Sequence, residues 1–367
     1  MQKRFIKIAK NILSDWISKE DSPFIPTENG PWHETPKGWS NEKIEESNEQ
    51  EQTDRKNYVN DWINTVTNQT PEVLENPLEN LNQDDWILND DINEVYFLGY
   101  GNKKSVFKPV SNRDFGIRQS INTRKTSTAK REVIAFEISE KLGIGLVPPT
   151  FFTEHNLPGH IEENGERNYS NKQGSEQAFV EGLTWSSFGV QQGQEKIREL
   201  LKNEDFQRQL GMLSITDYLI GSTDRYGKNF IIDKNNRIHA IDNGLSFARN
   251  GYEKENIFGQ KGEFRSLPTD ILFRINQDYD QDFSISNMKY EDYNTSEFVT
   301  DFEQLTKLQI IQDAGGFTSE VEQFFKELDY ENAKEQISAI SKHYGLDKIS
   351  ERDMITRLND IQDLFNN

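Results

Sequence analysis

The order in which two kinds of apolar spacing occur constrains this chain most. From about Asp91 to Gly182 the apolar residues come in short alternating blocks cut by glycine and proline; from about residue 195 onward they recur at helical spacing. Strands first and helices second describe an α+β protein, not a run of βαβ units. NEVYFLGYGNKKSVFKPV reads as a strand over Val95–Leu98, a tight turn holding Gly99 and Gly101, and a return strand over Ser105–Lys108. A helix is expected at about 128–142, with Thr128 as N-cap, Ile134, Ile138 and Leu142 on one face and Gly143 as its stop. LVPPT and FFTEH predict a strand after a proline-fixed bend, and QAFVEG (177–182) predicts another that ends at Gly182. One hairpin, 229–242, interrupts the helical half, and 297–367 read as amphipathic helices.

Upstream the pattern is weaker. Residues 3–18 fit a helix with Phe5, Ala9, Ile12, Leu13 and Trp16 on one face. Residues 19–56, rich in Pro, Gly, Asn and Glu, read as a linker or partly ordered arm, with Trp32 and Trp39 as anchors for the main domain or a partner protein. Short helices separated by Pro71 and Pro77 are expected over 57–90. The division is therefore an extension (1–90), a strand-rich part (91–182) and a helical part (183–367).

Charge bounds the partners. The formal net charge is -20, so the overall field does not favour nucleic acid or anionic lipid. The acid is uneven: residues 41–94 hold fifteen Asp and Glu against three Lys and Arg, whereas 102–131 hold nine Lys and Arg against Asp114 alone. A basic stripe in an acidic protein suggests a local anion such as a polyphosphate. The chain has no cysteine, which excludes disulfides, thiolate metal sites and cysteine nucleophiles. No apolar run approaches the roughly 18 residues of a membrane span, and the basic start MQKRFIKIAKNILSDW lacks the apolar core of a secretion signal, so a cytoplasmic protein is expected. The histidines are scattered and form no HExxH-type cluster.

The chemistry concentrates at the hairpin. Pairing across the turn at 233–236 brings Asn229 beside Asp242, an amide oxygen next to a carboxylate. Hard oxygens of this kind suit Mg²⁺, which adds phosphate and water. Five residues before Asn229, in TDRYGKN, Asp224 follows a helix ending near Gly221, placed to accept a hydroxyl proton; Arg225 is its neighbour. Upstream, the glycine turn allows close approach to phosphates, Lys108 supplies a point charge, and Glu132 on the next helix can hold that lysine. Each part alone is common. Their order, glycine turn, strand Lys, helix Glu, Asp-x-x-x-x-Asn and strand-end Asp-x-Gly, fits phosphoryl transfer, which needs positioning, cations and metals more than covalent help.

At these residues the sequence resembles the phosphatidylinositol 3/4-kinase-like superfamily, especially type II phosphatidylinositol 4-kinases and their bacterial and phage relatives, with actin-fragmin kinase and the Fam20 kinases as more distant kin. The matching pieces are SVFKP (105–109), REVIAFEISEKLGIGLVPPT (131–150), QAFVEG (177–182), DYLIGSTDRYGKNFII (217–232) and AIDNGLSF (240–247). The resemblance implies a two-lobed, protein-kinase-like fold with ATP between a strand-rich N-lobe and a helical C-lobe. It implies Lys108 as the strand lysine with Glu132 as partner, Asp224 as catalytic aspartate with Lys108 and Arg225 as further catalytic residues, and Asn229 and Asp242 as holders of Mg²⁺ (or Mn²⁺). Gly99, Gly101 and Ser105 would approach the phosphates, and Phe179, Val180 and Glu181 would line the adenine pocket. Tyr226 stands where many relatives carry His. The expected activity is ATP- and Mg²⁺-dependent transfer to a protein Ser or Thr, with autophosphorylation at Ser120, Thr123, Thr126, Ser127 or Thr128. The alternatives are a phosphoinositide lipid acceptor, AMP transfer, and a nucleotide-binding pseudokinase or adaptor.

Overall fold

In β2 (Tyr96–Tyr100) every second residue is buried, and β3 (Lys103–Pro109) buries Ser105 and Phe107 in the same way. This two-residue period builds one face of a sheet. The computed structural model, which describes residues 41–74, 95–110, 126–161, 167–248, 266–276 and 301–366, closes the pair at Gly101, where φ is 65°. Both strands run further into the turn than the sequence pattern suggests, and Gly99 stays in the ladder opposite Lys104. β1 (Glu72–Val73) pairs with β2; β4 (Thr150–Ile161) and β5 (Arg167–Ala178) form a long hairpin, and β5 pairs with β3. The result is an antiparallel sheet in the order β1-β2-β3-β5-β4.

Helix α2 (Thr128–Lys141) lies between β3 and β4. Its N-cap is Ser127, whose Oγ accepts from the Lys130 amide at 3.3 Å, one residue earlier than the expected Thr128. QAFVEG is not one strand. Gln177 and Ala178 finish β5, residues 179–181 leave the sheet, and Gly182 opens β6 (Gly182–Thr184) of a second sheet. That sheet, β6-β7-β8, contains the expected hairpin as β7 (Phe230–Asp233) and β8 (Ile238–Ala240). Asn236, at φ 61°, makes its turn. Around it pack α3 (Trp185–Leu201), interrupted at Gly193, and α4 (Glu204–Ile220). Trp185 stacks on both Phe206 and Phe230, fastening this sheet to α4. The described remainder is α5 (Leu267–Asn276), α6 (Asp301–Asp313), α7 (Ser319–Glu327), α8 (Tyr330–Tyr344) and α9 (Lys348–Asn366).

Helix α1 (Asn41–Asn68) replaces the last part of the expected linker and the first of the short helices read from residue 57; the part of that expectation from residue 75 to residue 90 lies outside the described residues. Its reason is a stripe at helical spacing, Val59, Trp62, Ile63 and Val66, all buried. Val59 and Ile63 join the large apolar core formed with α2, α4 and the C-terminal helices, whereas Trp62 and Val66 join a smaller core under β2 and β3. Arg55 adds a buried ion pair to Glu140 of α2 at 2.5 Å and donates to the Val147 carbonyl at 2.8 Å. Among the described residues no helix is long and apolar enough to cross a membrane. The expected helix at 3–18, Trp32, Trp39 and the basic stretch 111–125 lie outside the described residues.

Candidate active site

Strand parity decides where the lysine goes. Ser105 and Phe107 face the core under the sheet, so Lys108 leaves from the opposite face, toward α2. There its Nζ donates to Glu132 Oε1 and to Asp242 Oδ1, both at 2.9 Å. Glu132 uses its other oxygen to accept from the Asn243 amide at 2.9 Å. One ammonium thus joins the strand, the helix and the end of the hairpin. Glu132 is almost fully buried, whereas the Asp242 carboxylate is 49% exposed. Burial alone would lower the lysine's pKa, but the Asp242 and Glu132 carboxylates override it and hold the ammonium charged. The same ammonium holds Asp242 below the ordinary carboxylate range.

The hairpin supplies the remaining groups. Helix α4 stops at Gly221, whose φ of 57° ends it in the left-handed conformation and turns the chain into the loop 222–229. Gly227 lets that loop pack closely on the start of α3: a Cβ there would lie 2.6 Å from Ser186 Oγ and 3.1 Å from Trp185. Asn229 folds back, its Nδ2 donating to the Asp224 carbonyl at 2.5 Å and to Asp224 Oδ2 at 3.2 Å. This ties the amide nitrogen and leaves the amide oxygen as the atom able to coordinate. On the main chain, the Ile241 amide donates to the Asn229 carbonyl at 3.1 Å, so the two ends of the hairpin meet as the sequence predicts. Burial, and then the Asp242 carboxylate, push Asp224 up to about 7, against the opposing effects of Arg225, the Asn229 amide and Lys108.

Asp242 itself has φ 55°, a left-handed backbone that costs a residue with a side chain roughly 1–2 kcal/mol. Such a conformation persists only where its surroundings over-determine it. Arg225 does much of this. Its Nε donates to Asp217 at 3.0 Å, and its Nη1 donates to the Asn229 carbonyl at 2.5 Å and the Ile241 carbonyl at 2.6 Å; Nη2 donates to Asn243 Oδ1. Asp217 also accepts from Ser266. Arg225 is 1% exposed and its guanidinium is directed to these interior partners, whereas the sequence reading expects a catalytic residue beside Asp224.

Several other expected contacts fall elsewhere. Ser105 is fully buried and donates to Glu176 at 2.6 Å, on the face away from Lys108; Tyr100 and His155 share that carboxylate. Gly99 is on the Lys108 face, but Leu74 covers it: a Cβ would meet Leu74 at 3.0 Å. At Gly101 a Cβ would meet nothing within 4 Å among the described residues, as at a hairpin tip. Phe179 and Val180 are half-buried and Glu181 is exposed, in the segment joining the two sheets, where the Phe179 amide donates to the Lys104 carbonyl at 3.0 Å. Of the autophosphorylation candidates, Thr126 is fully buried against the Gly345 carbonyl and Ser127 is the α2 cap, which removes both as free acceptors. Ser120 and Thr123 lie outside the described residues. Sequence reading missed Arg131, fully buried in α2, whose Nη1 donates to the Ser246 carbonyl at 3.0 Å just beyond Asp242; the only available signal was its adjacency to Glu132.

The donors present fit a hard divalent cation: one half-exposed carboxylate and one amide oxygen at the end of the same hairpin. Among the described residues no three His, Cys, Asp or Glu side chains gather to hold a metal; a cation on Asp242 and Asn229 would complete its shell with phosphate and water.

No protein-family model and no curated protein matches the chain. Among solved structures it is similar to the Golgi casein kinase with Mn/ADP bound, at 14% identity and a TM-score of 0.37 over 74% of this chain and 69% of that one. It is also similar to the Helicobacter pylori proinflammatory kinase CtkA, at 13% identity and a TM-score of 0.34 over 74% of this chain and 87% of that one. A third similar structure is the hydra Fam20 with sugar, at 18% identity and a TM-score of 0.26 over 65% and 84% of the two chains.

Proposed function

We propose that this protein is an ATP- and divalent-metal-dependent kinase that transfers the γ-phosphate to a hydroxyl, with protein Ser or Thr as the acceptor. The observation that carries this is the single ammonium of Lys108 held between Glu132 and Asp242 at 2.9 Å, with Asp224 and Asn229 at the same hairpin end. In this reading the sheet and the helical part are the two lobes and the triphosphate lies between them. Residues 179–181 are the hinge, and the extension 1–90 contributes α1 and β1 to the packing of the lobes. Lys108 holds phosphate oxygens, while Asp242 and Asn229 hold Mg²⁺ or Mn²⁺. When bound, the cation offsets charge on the phosphates and the departing ADP. Asp224 takes the proton of the acceptor hydroxyl; that oxygen bonds to the γ-phosphorus as the bond to the β–γ bridging oxygen breaks, and ADP leaves with its electron pair. The acidic charge of -20 favours a protein acceptor over anionic lipid.

The test is incubation with γ-labelled ATP and Mg²⁺ or Mn²⁺, with a protein mixture or with phosphoinositide vesicles. ADP and labelled protein are expected. Pyrophosphate would reassign the chain to AMP transfer, labelled lipid would move the acceptor, and intact ATP would leave a nucleotide-binding adaptor.

A pH dependence follows. Asp224 must be ionised to accept a proton, and in the free protein it is pushed up to about 7. Because kcat/KM reports the free enzyme, kcat/KM for ATP should fall close to tenfold per pH unit below about 7 and level off above it. A flat steady-state profile from about pH 5 to about pH 9 would remove Asp224 as the base.

A further inference from the structure

Three arginines are among the largest fully buried side chains, Arg131, Arg225 and Arg357, and they come from three separate parts of the chain. All three end on the same short segment, residues 241–248. Arg225 holds the Ile241 carbonyl and the Asn243 side chain, and Arg131 holds the Ser246 carbonyl. Arg357, on the last helix α9, donates from Nη1 to the Ala248 carbonyl at 3.3 Å and from Nε to the Leu219 carbonyl at 3.0 Å.

The segment needs such holding. It contains two residues with side chains in the left-handed region, Asp242 at φ 55° and Phe247 at φ 64°, and for a residue as bulky as Phe this conformation is rare. Its far end is stitched to the end of α4: the Phe247 amide donates to the Ile220 carbonyl at 2.6 Å and the Ala248 amide to the Gly221 carbonyl at 3.4 Å. Leu219 lies in the last turn of α4, where carbonyls lack helical partners and the helix end is negative. A guanidinium is the side chain suited to that place, because its rigid fork can serve two carbonyls at once and stays charged when buried. Arg357 therefore spans the helix that leads into the Asp224 loop and the segment that leads out of Asp242.

We propose that Arg357 is a positioning residue for Asp242, so that the C-terminal helix α9 belongs to the machinery that sets the metal-holding carboxylate. The geometry stands on its own, and its consequence for catalysis rests on the kinase reading above. α9 has a second tie to α4, Tyr218 Oη to Asp360 Oδ2 at 2.8 Å, which reaches neither 242 nor 248 and serves as the control.

The experiment is hydrogen exchange on the nucleotide-free full chain, comparing wild type with Arg357→Met, Arg357→Lys and Tyr218→Phe. In Arg357→Met the amides of Ser246, Phe247 and Ala248 should exchange at least about tenfold faster while the β4–β5 ladder keeps its protection. Arg357→Lys, which keeps the charge but loses the fork, should show the same change to a smaller degree and serves if the Met variant does not fold. Tyr218→Phe should leave these amides unchanged. A parallel titration of Mn²⁺ in ATP turnover should show an activation constant raised about tenfold in the Arg357 variants, a change that a lower folded fraction would not produce. Unchanged exchange at 246–248, or acceleration spread evenly over the whole chain, would overturn the proposal. Inactive wild type with the local exchange effect intact would instead overturn the kinase reading and leave the positioning of the 242 segment standing.

Discussion

Asp242→Asn is expected to lower metal-dependent ATP turnover by at least about 10²–10³-fold, the range seen when one preorganised electrostatic contact to a transition state is removed. The substitution keeps shape, and Asn tolerates the left-handed backbone at φ 55° better than Ala would. It removes the charge that pairs with Lys108 and would hold the cation. Because that carboxylate is 49% exposed and Lys108 keeps Glu132 as a partner, stability should change little. Turnover and thermal melting measured on the same preparation check both halves. Turnover equal to wild type would end the assignment of the site.

Arg225→Met should be the most destabilising substitution in the site, by about 3–5 kcal/mol in chemical denaturation, a large part of the roughly 5–15 kcal/mol that holds a domain together. The loss comes from what stays behind. Asp217 would be a buried carboxylate without its guanidinium, and the Asn229 and Ile241 carbonyls would lose donors. Burial already raises the Asp217 pKa and Arg225 opposes it, so the variant should let it rise further. A carboxylate with a raised folded pKa destabilises above its unfolded value, where the unfolded chain is ionised and the fold resists ionisation. The deficit should therefore shrink as pH falls toward about 4. Adding Asp217→Leu should recover part of the loss at neutral pH. A deficit under about 1 kcal/mol would mean that water reaches Asp217.

What the sequence disclosed depended on range. The hairpin 229–242 was legible because its turn residues and its apolar strands are adjacent, and so were α2, α4 and the C-terminal helices, whose stripes are local. The side of the sheet on which Ser105 falls was also available: counted by twos from Lys108, residue 105 is on the other face. The stripe of α1 was present too, but the acidic, Asn-rich stretch before it masked its start. The interior direction of Arg225 was not legible, because an arginine beside a candidate catalytic aspartate looks the same in sequence whether it faces substrate or the interior. Its partners, Asp217, Asn229, Ile241 and Asn243, are joined to it by tertiary folding. The same holds for Arg357, whose contacts at Leu219 and Ala248 lie more than a hundred positions away.

Helix α1 has a thermodynamic consequence. Two neighbouring i,i+4 ridges of one rod serve different interiors, with Val59 and Ile63 in one and Trp62 and Val66 in the other. Withdrawing that rod would uncover both at once, so the two interiors are expected to melt together. Calorimetry should record a single endotherm whose van't Hoff and calorimetric enthalpies agree, despite a chain long enough to house two independent units.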